Sequence, residues 1–107
     1  MSNNQQPQEM MIRMMQQMRE NRLRRFRELN RYVLPGQIVL SGSSLMEQFP
    51  VEELLYQNSS HPIVYNRGIG GEVTSGLLET LDTCIFALSP AKVFINIGSI
   101  VFIMFFF

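Results

Sequence analysis

Residues Ile38 to Leu45 read I-V-L-S-G-S-S-L, a β-branched run that ends in small residues. The same organisation recurs at Tyr65 to Gly71 (Y-N-R-G-I-G-G) and at Val93 to Ser99 (V-F-I-N-I-G-S). The segments between these runs, from Ser44 to about Tyr56 and from Val73 to Leu88, have the apolar spacing of helices. Strands that are separated by helices of this length pair in parallel through right-handed crossovers. The sequence therefore predicts an α/β fold with a parallel sheet.

The rest of the chain divides into distinct segments around these runs. Residues 1–9 are rich in Gln and Asn, which predicts disorder. Residues 10–34 predict an amphipathic helix, because methionines recur at helical spacing and arginines fill the other faces. The sequence Leu34-Pro35-Gly36 is expected to end this helix. Residues 35–99 then contain the three strand-like runs, and residues 100–107 form an apolar tail.

The tail, I-V-F-I-M-F-F-F, has three interpretations. It could be a membrane anchor, a buried extension of the third strand, or residues translated out of frame. A spanning helix needs about 20 apolar residues, and the tail is much shorter, which argues against a membrane. We favour out-of-frame translation, because an apolar run without turn, cap or charge is what T-rich codons give in a shifted frame. The sheet is then expected to be truncated after its third strand.

Charge and cysteine content narrow the function classes. The net charge of zero over 107 residues argues against a general nucleic-acid binder. The charge is nevertheless uneven, with seven Arg against three Glu in residues 1–31 and two basic against six acidic residues in 32–107. The lone Cys84, expected as a small buried side chain, permits no intrachain disulfide. With no recognisable leader at the amino terminus, the prediction is a cytoplasmic domain.

The small-residue turns indicate where chemistry would occur. In an open parallel sheet, ligands bind at the carboxyl ends of the strands, where all three turns are expected to lie. A serine that leaves a strand and opens a helix is near free backbone N–H groups. Glycines in the neighbouring turn allow another N–H to approach a developing oxyanion. This arrangement is typical of acyl transfer.

Three blocks carry a family resemblance: G-S-S-L at Gly42 to Leu45, N-R-G-I-G-G at Asn66 to Gly71, and K-V-F-I-N-I-G-S at Lys92 to Ser99. Over residues 34–99 the chain resembles the SGNH (GDSL-type) hydrolases, most closely small bacterial esterases related to platelet-activating-factor acetylhydrolase. The resemblance implies a flavodoxin-like three-layer αβα sandwich that hydrolyses small esters, acyl or acetyl, without a metal or cofactor. It also implies Ser44 as the nucleophile. The N–H groups of Ser44 and Gly71 would form the oxyanion hole.

The chain departs from that family at several positions. The residue before the nucleophile, usually Asp, is Ser43, and the Asn expected to complete the oxyanion hole is replaced by Ile100. The catalytic Asp and His of the fourth block are absent. His61 is expected near the opposite edge of the sheet. Asn96 lies about 13 Å back along its strand from residue 100, at ~3.3 Å per residue. Neither side chain is expected to reach Ser44. The chain is therefore predicted to be an inactive truncated copy.

Each assignment has a simpler alternative. Ser44 could be only a helix cap, and two of the three glycines at 68, 70 and 71 only turn residues. Arg67 could be a solvated charge or contact an anionic substrate group. The rival function is a non-enzymatic protein- or membrane-interaction module that uses the amino-terminal helix and the apolar tail. A homo-oligomer through that helix or through an exposed sheet edge is also expected, and a separate chain could supply the missing strands and base.

Overall fold

The computed structural model describes residues 5–57 and 59–106, which form an α/β fold. The elements in chain order are helix α1 (Gln5–Asn30), strand β1 (Ile38–Gly42), helices α2 (Ser44–Glu47) and α3 (Val51–Leu55), strand β2 (Val64–Gly68), helices α4 (Thr74–Glu79) and α5 (Leu81–Cys84), a 3-10 turn (Phe86–Leu88), and strands β3 (Lys92–Ile97) and β4 (Ile100–Phe105).

Helix α1 starts earlier and ends earlier than the sequence pattern predicts. Residues 5–9, expected to be disordered, belong to the helix, whereas residues 1–4 of that expectation lie outside the described part. Pro7 is tolerated because N–H groups in the first turn have no partner within the helix. The helix ends at Asn30, not near residue 34, since the N–H groups of Arg31 and Tyr32 bond back three residues to form a turn.

The sheet has the strand order β2-β1-β3-β4. Strands β2 and β3 flank β1 in parallel, with Gly42 level with Gly68 on one side and with Asn96 on the other. The order 2-1-3 is that of the first three strands in flavodoxin-like folds. The predicted parallel α/β architecture is therefore confirmed, and the carboxyl ends of β1 and β2 meet at one edge.

The apolar tail forms a fourth strand, so the expectation that the sheet ends after β3 is wrong. Gly98 and Ser99 make a two-residue turn, with Gly98 at a φ of +60°, and β4 returns antiparallel to β3. A Gly-Ser pair between two β-rich runs is a hairpin signal. All six side chains of β4 are exposed, so this strand is neither buried nor a continuation of β3, whereas Phe106 packs against the core.

One face of the sheet carries the main core. The buried side chains of this cluster come from α1, from the segment between β2 and β3, and from β1 and β3: Leu23, Phe26, Val39, Ile69, Leu77, Cys84, Ile85, Leu88, Val93, Ile95 and Ile97. Helix α2 contacts β1 and β2, and α3 contacts β2. Leu40 and Val51 are also buried but do not belong to the main core cluster. Helices on both sides of the sheet give the three layers of a flavodoxin-like sandwich.

Within the described ranges, the structure contains no helix that is both long enough and apolar enough to cross a membrane.

Truncating a core contact of α1 tests its role in the fold. Leu23 is 5% exposed, so Leu23→Ala is expected to lower the free energy of unfolding by about 2–5 kcal/mol. Met18, one and a half turns earlier, is 67% exposed, and Met18→Ala is expected to change it by less than about 0.5 kcal/mol. Urea unfolding followed by circular dichroism measures both; equal losses would mean that α1 does not pack as described.

Cys84 offers a second test of the packing. The thiol is fully buried, and burial raises its pKa, which keeps it protonated and inaccessible. In a thiol-reagent assay at about pH 8, the native chain is expected to react far more slowly than the chain in guanidinium chloride. Equal rates under both conditions would contradict the described core.

Candidate functional site

The turn after β1 places Ser44 at the carboxyl edge of the sheet. Gly42 has a φ of +127°, and a Cβ there would collide with the backbone carbonyl of Asn96. The N–H of Ser43 donates to that same carbonyl oxygen at 2.9 Å, which turns the chain into α2. Ser44 is the first residue of α2 and is exposed. No described residue forms a hydrogen bond with its hydroxyl.

The turn after β2 lies directly against the serine turn. The N–H of Ile69 donates to the carbonyl of Gly42 at 2.9 Å, so the hydrogen bonding of the sheet continues one residue beyond the strands. Gly71 follows with a φ of +78°, a conformation that a side chain disfavours. Its N–H, like that of Ser44, has no acceptor among the described residues. Neither of the N–H groups assigned to the oxyanion hole by resemblance is therefore used by another described residue.

Glu47 joins the two turns, a contact that sequence reasoning missed. It lies on α2 with Ser44, and its Oε1 accepts the N–H of Gly70 at 3.1 Å. The same oxygen lies 2.7 Å from Nε of Arg22 on α1, which also donates to the carbonyl of Gly68 at 2.9 Å. Ser44-x-x-Glu47 has the spacing of a capping box, although the N-cap is Ser43 and makes no side-chain cap hydrogen bond. The carboxylate of Glu47 contacts the neighbouring turn instead.

Asn66 further ties β2 to α2. Its side-chain amide donates to the carbonyl of Met46 at 2.7 Å and its Oδ1 accepts the N–H of Gly68 at 2.9 Å. Gly68 itself approaches α2 so closely that a Cβ would collide with the backbone of Glu47. The block Asn66 to Gly71 is therefore built for close packing against the helix that begins at Ser44.

Asn96 lies closer to the serine turn than counting along its strand suggests. The register places it beside Gly42, because β1 ends level with Asn96 and not with the end of β3. Its side-chain oxygen is buried and has no hydrogen-bond partner among the described residues. Distance along one strand did not predict that the backbone of Asn96 lies at the serine turn, because it ignores the register between strands. That the side chain of Asn96 does not reach Ser44 stays a prediction.

The described residues place no general base at Ser44. His61 is exposed, its Nδ1 lies 3.0 Å from the carbonyl oxygen of Pro62, and it precedes β2 at the amino end of the sheet. Asp82 is exposed on α5, which leads to the amino end of β3. Ile100, at the position expected for the oxyanion-hole Asn, is the first residue of β4 and pairs with Ile97.

A groove of about 970 Å³ adjoins the glycine turn on the side of α1. Ile12, Met15 and Ile69 contribute apolar side chains to it, and Gly71 lies at its wall. Ser44 does not line this groove. The groove therefore borders the glycine turn and the end of α2 at Glu47, but not the serine itself.

Arg67 is buried, which overturns the expectation of a solvated charge. It is 5% exposed, and burial lowers its pKa, although it remains a cation. Its Nε donates to Oδ1 of Asn30 on α1 at 3.0 Å, and its guanidinium lies 5.1 Å from the ring centre of Phe26. Arg67 therefore fixes α1 to β2 and does not face a substrate.

The described part of the chain contains no group of side chains that could together bind a metal ion. No group of three or more His, Cys, Asp or Glu side chains comes together there.

The fold and the paired turns define a class of α/β protein with a flavodoxin-like sheet and a serine at its carboxyl edge. A solved structure from Streptococcus pneumoniae, provisionally described as a platelet activating factor, matches the chain with a TM-score of 0.74 and 32% sequence identity. The match covers 91% of this chain and 44% of that chain, so this chain spans less than half the length of its structural neighbour. No protein-family model and no curated protein matches the sequence.

Two glycines with positive φ allow the cost of a steric collision to be measured separately from the cost of the backbone conformation. Gly36, at a φ of +77°, has open space around a Cβ, so Gly36→Ala is expected to cost about 1–2 kcal/mol of stability. Gly42→Ala adds the collision with Asn96 and is expected to cost several kcal/mol or to prevent folding. Thermal unfolding of both variants checks this; equal costs would show that β1 and β3 do not approach closely at Gly42.

Proposed function

We propose that this chain carries the nucleophile-bearing part of a serine ester hydrolase of the SGNH (GDSL-type) class. The observation that supports this most directly is the hydrogen bond from Ile69 to Gly42, which holds the serine turn against the glycine turn at the carboxyl edge. The three blocks occur in the family's order, and each contains the carboxyl end of a strand. The identity to the Streptococcus structure adds support. The substrate class is a small acyl or acetyl ester, without a cofactor, in a cytoplasmic setting.

The proposed chemistry is acyl transfer. The Oγ of Ser44 attacks the ester carbonyl while a base removes its proton, and the carbonyl oxygen becomes an anion. The N–H groups of Ser44 and Gly71 would donate to that oxygen. Collapse of the intermediate breaks the bond to the alcohol, which leaves with a proton, and water then hydrolyses the acyl-serine. Glu47 and Arg22 act as positioning residues, because they hold the two turns together.

The 107-residue chain by itself is proposed to be inactive. No base contacts Ser44 among the described residues, and Ile100 offers no amide donor. Loss of one oxyanion donor costs about 10²–10³ in turnover. Loss of the base costs on the order of 10⁶ in serine hydrolases where it has been measured. Hydrolysis of p-nitrophenyl acetate by the purified chain is therefore expected at the rate of the buffer and unchanged in Ser44→Ala.

A chimera tests the proposed role of Ser44 as the nucleophile. Residues 1–99 are joined to the whole segment of the Streptococcus protein that follows the position equivalent to Ser99, and folding is verified by circular dichroism and gel filtration. The folded chimera is expected to hydrolyse p-nitrophenyl acetate. Ser44→Ala is expected to lower the rate by a factor on the order of 10⁶, to background.

Ser43→Ala is the matched control, because it removes the neighbouring hydroxyl, which lies 3.5 Å from the carbonyl oxygen of Asn96. This variant is expected to retain activity within about tenfold, since no role in acyl transfer is assigned to it. A folded chimera that is inactive, or that loses activity equally in both variants, would contradict Ser44 as the nucleophile.

A second candidate function is an interaction module, and one observation favours it. The first half of α1 exposes five methionines between 53% and 67%: Met10, Met11, Met14, Met15 and Met18. Methionine-rich surfaces adapt to varied apolar partners. Under this function, partner binding survives Ser44→Ala and is lost when Met14 is replaced by Glu. Under the hydrolase function, neither change affects the folding of the chimera.

A further inference from the structure

The two outermost strands of the sheet, β2 and β4, differ greatly in how their outer edges are protected. At the β2 edge, Arg67 is buried against α1, the carbonyl of Gly68 accepts from Arg22, and the amide of Asn66 bonds to α2. At the β4 edge, all six side chains are between 40% and 63% exposed. The β2 edge is therefore covered by helices, and the β4 edge is bare.

Strand β4 has none of the features that keep sheet edges apart. It contains no charged residue, no proline and no glycine. Its register with β3 runs without interruption from Ile97 and Ile100 to Lys92 and Phe105, so no bulge twists it away. Bulges, prolines and edge charges are the usual means by which proteins prevent strand addition. This edge is consequently open to another strand.

The outward backbone groups of β4 follow from one hydrogen bond. The N–H of Phe106 donates to Ala91 on the β3 side at 2.9 Å. In an antiparallel strand, successive residues direct their N–H and C=O groups to opposite edges. Val101, Ile103 and Phe105 therefore direct three donors and three acceptors outward, and no described segment lies against them.

We propose that β4 pairs with β4 of a second copy of this chain, antiparallel across a two-fold axis at Ile103. The outward set is symmetric about that residue, so Ile103 faces its own counterpart and Val101 faces Phe105 of the other copy. Each outward donor then meets an acceptor, as a closed isologous interface requires. The result is one continuous sheet of eight strands.

Charge and side-chain chemistry favour a second copy as the occupant. The facing positions are all apolar, and cross-strand pairs of aromatic and β-branched side chains stabilise sheets. Lys92 lies beside this strand, with its Nζ 5.3 Å from the ring centre of Phe105 in its own chain. In the proposed register, this lysine lies at the end of the interface and not opposite another cation.

Cysteine crosslinking tests the register directly. Hydrogen-bonded antiparallel neighbours have Cα atoms about 5.5 Å apart, within the roughly 4.4–6.8 Å that a disulfide spans. The chain with Ile103→Cys is expected to form a disulfide-linked dimer under mild oxidation. Leu78→Cys is the matched control, since Leu78 is 62% exposed on α4, away from the edge, and the native Cys84 is buried. Crosslinking of Ile103→Cys no faster than the control would overturn the proposal.

Sedimentation equilibrium of the full chain over roughly 1–100 μM gives an independent measurement. The unmodified chain and Leu78→Lys are expected to show twice the mass of one chain. Ile103→Lys places like charges opposite each other at the axis and is expected to raise the dissociation constant at least tenfold. A monomer throughout, aggregates that persist in Ile103→Lys, or a dimer lost in Met14→Glu instead would each contradict pairing through β4.

Discussion

The packing of Phe26 between helix and sheet is the contact on which the other features depend. The ring is 3% exposed, and the guanidinium groups of Arg22 and Arg67 each lie 5.1 Å from its centre. Apolar burial and cation–π attraction therefore act at one point. Because Arg67 belongs to β2 and Arg22 to α1, this ring determines where the helix crosses the sheet. Without it, the buried guanidinium of Arg67 would keep its hydrogen bonds to Asn30 and to the carbonyl of Asn66 but lose this cation–π contact.

From that contact the geometry extends to the candidate site. Arg22 reaches from Phe26 to the carbonyl of Gly68 and to the carboxylate of Glu47, and Glu47 in turn accepts the N–H of Gly70. The serine helix and the glycine turn are thus held by one arginine that lies outside both blocks. A site whose two halves come from different strands needs such a link. Here the amino-terminal helix supplies it, which gives the basic first segment of the chain a structural role.

The local sequence pattern predicted the arrangement of strands and helices well, but not the contacts between distant side chains. Alternating strands and helices correctly gave the parallel pairing of β1, β2 and β3, because crossover length and handedness leave few arrangements. The Gly98-Ser99 turn carried a hairpin signal, yet the lack of a turn, cap or charge within the tail led to an out-of-frame interpretation. Asn96 was judged remote because its distance was counted along one strand. Register is a property of two strands and cannot be read from one.

The sequence by itself determined which residues could turn, which could extend, and that a serine would open a helix at a strand end. These are properties of the local backbone: β-branched residues extend, glycine accepts positive φ, and proline ends helices. Only the tertiary structure decided that Glu47 joins the two turns, that Arg67 is buried, and that β4 lies at a bare edge. Those outcomes depend on which distant groups share one volume, since desolvation and hydrogen bonding are decided by neighbours in space.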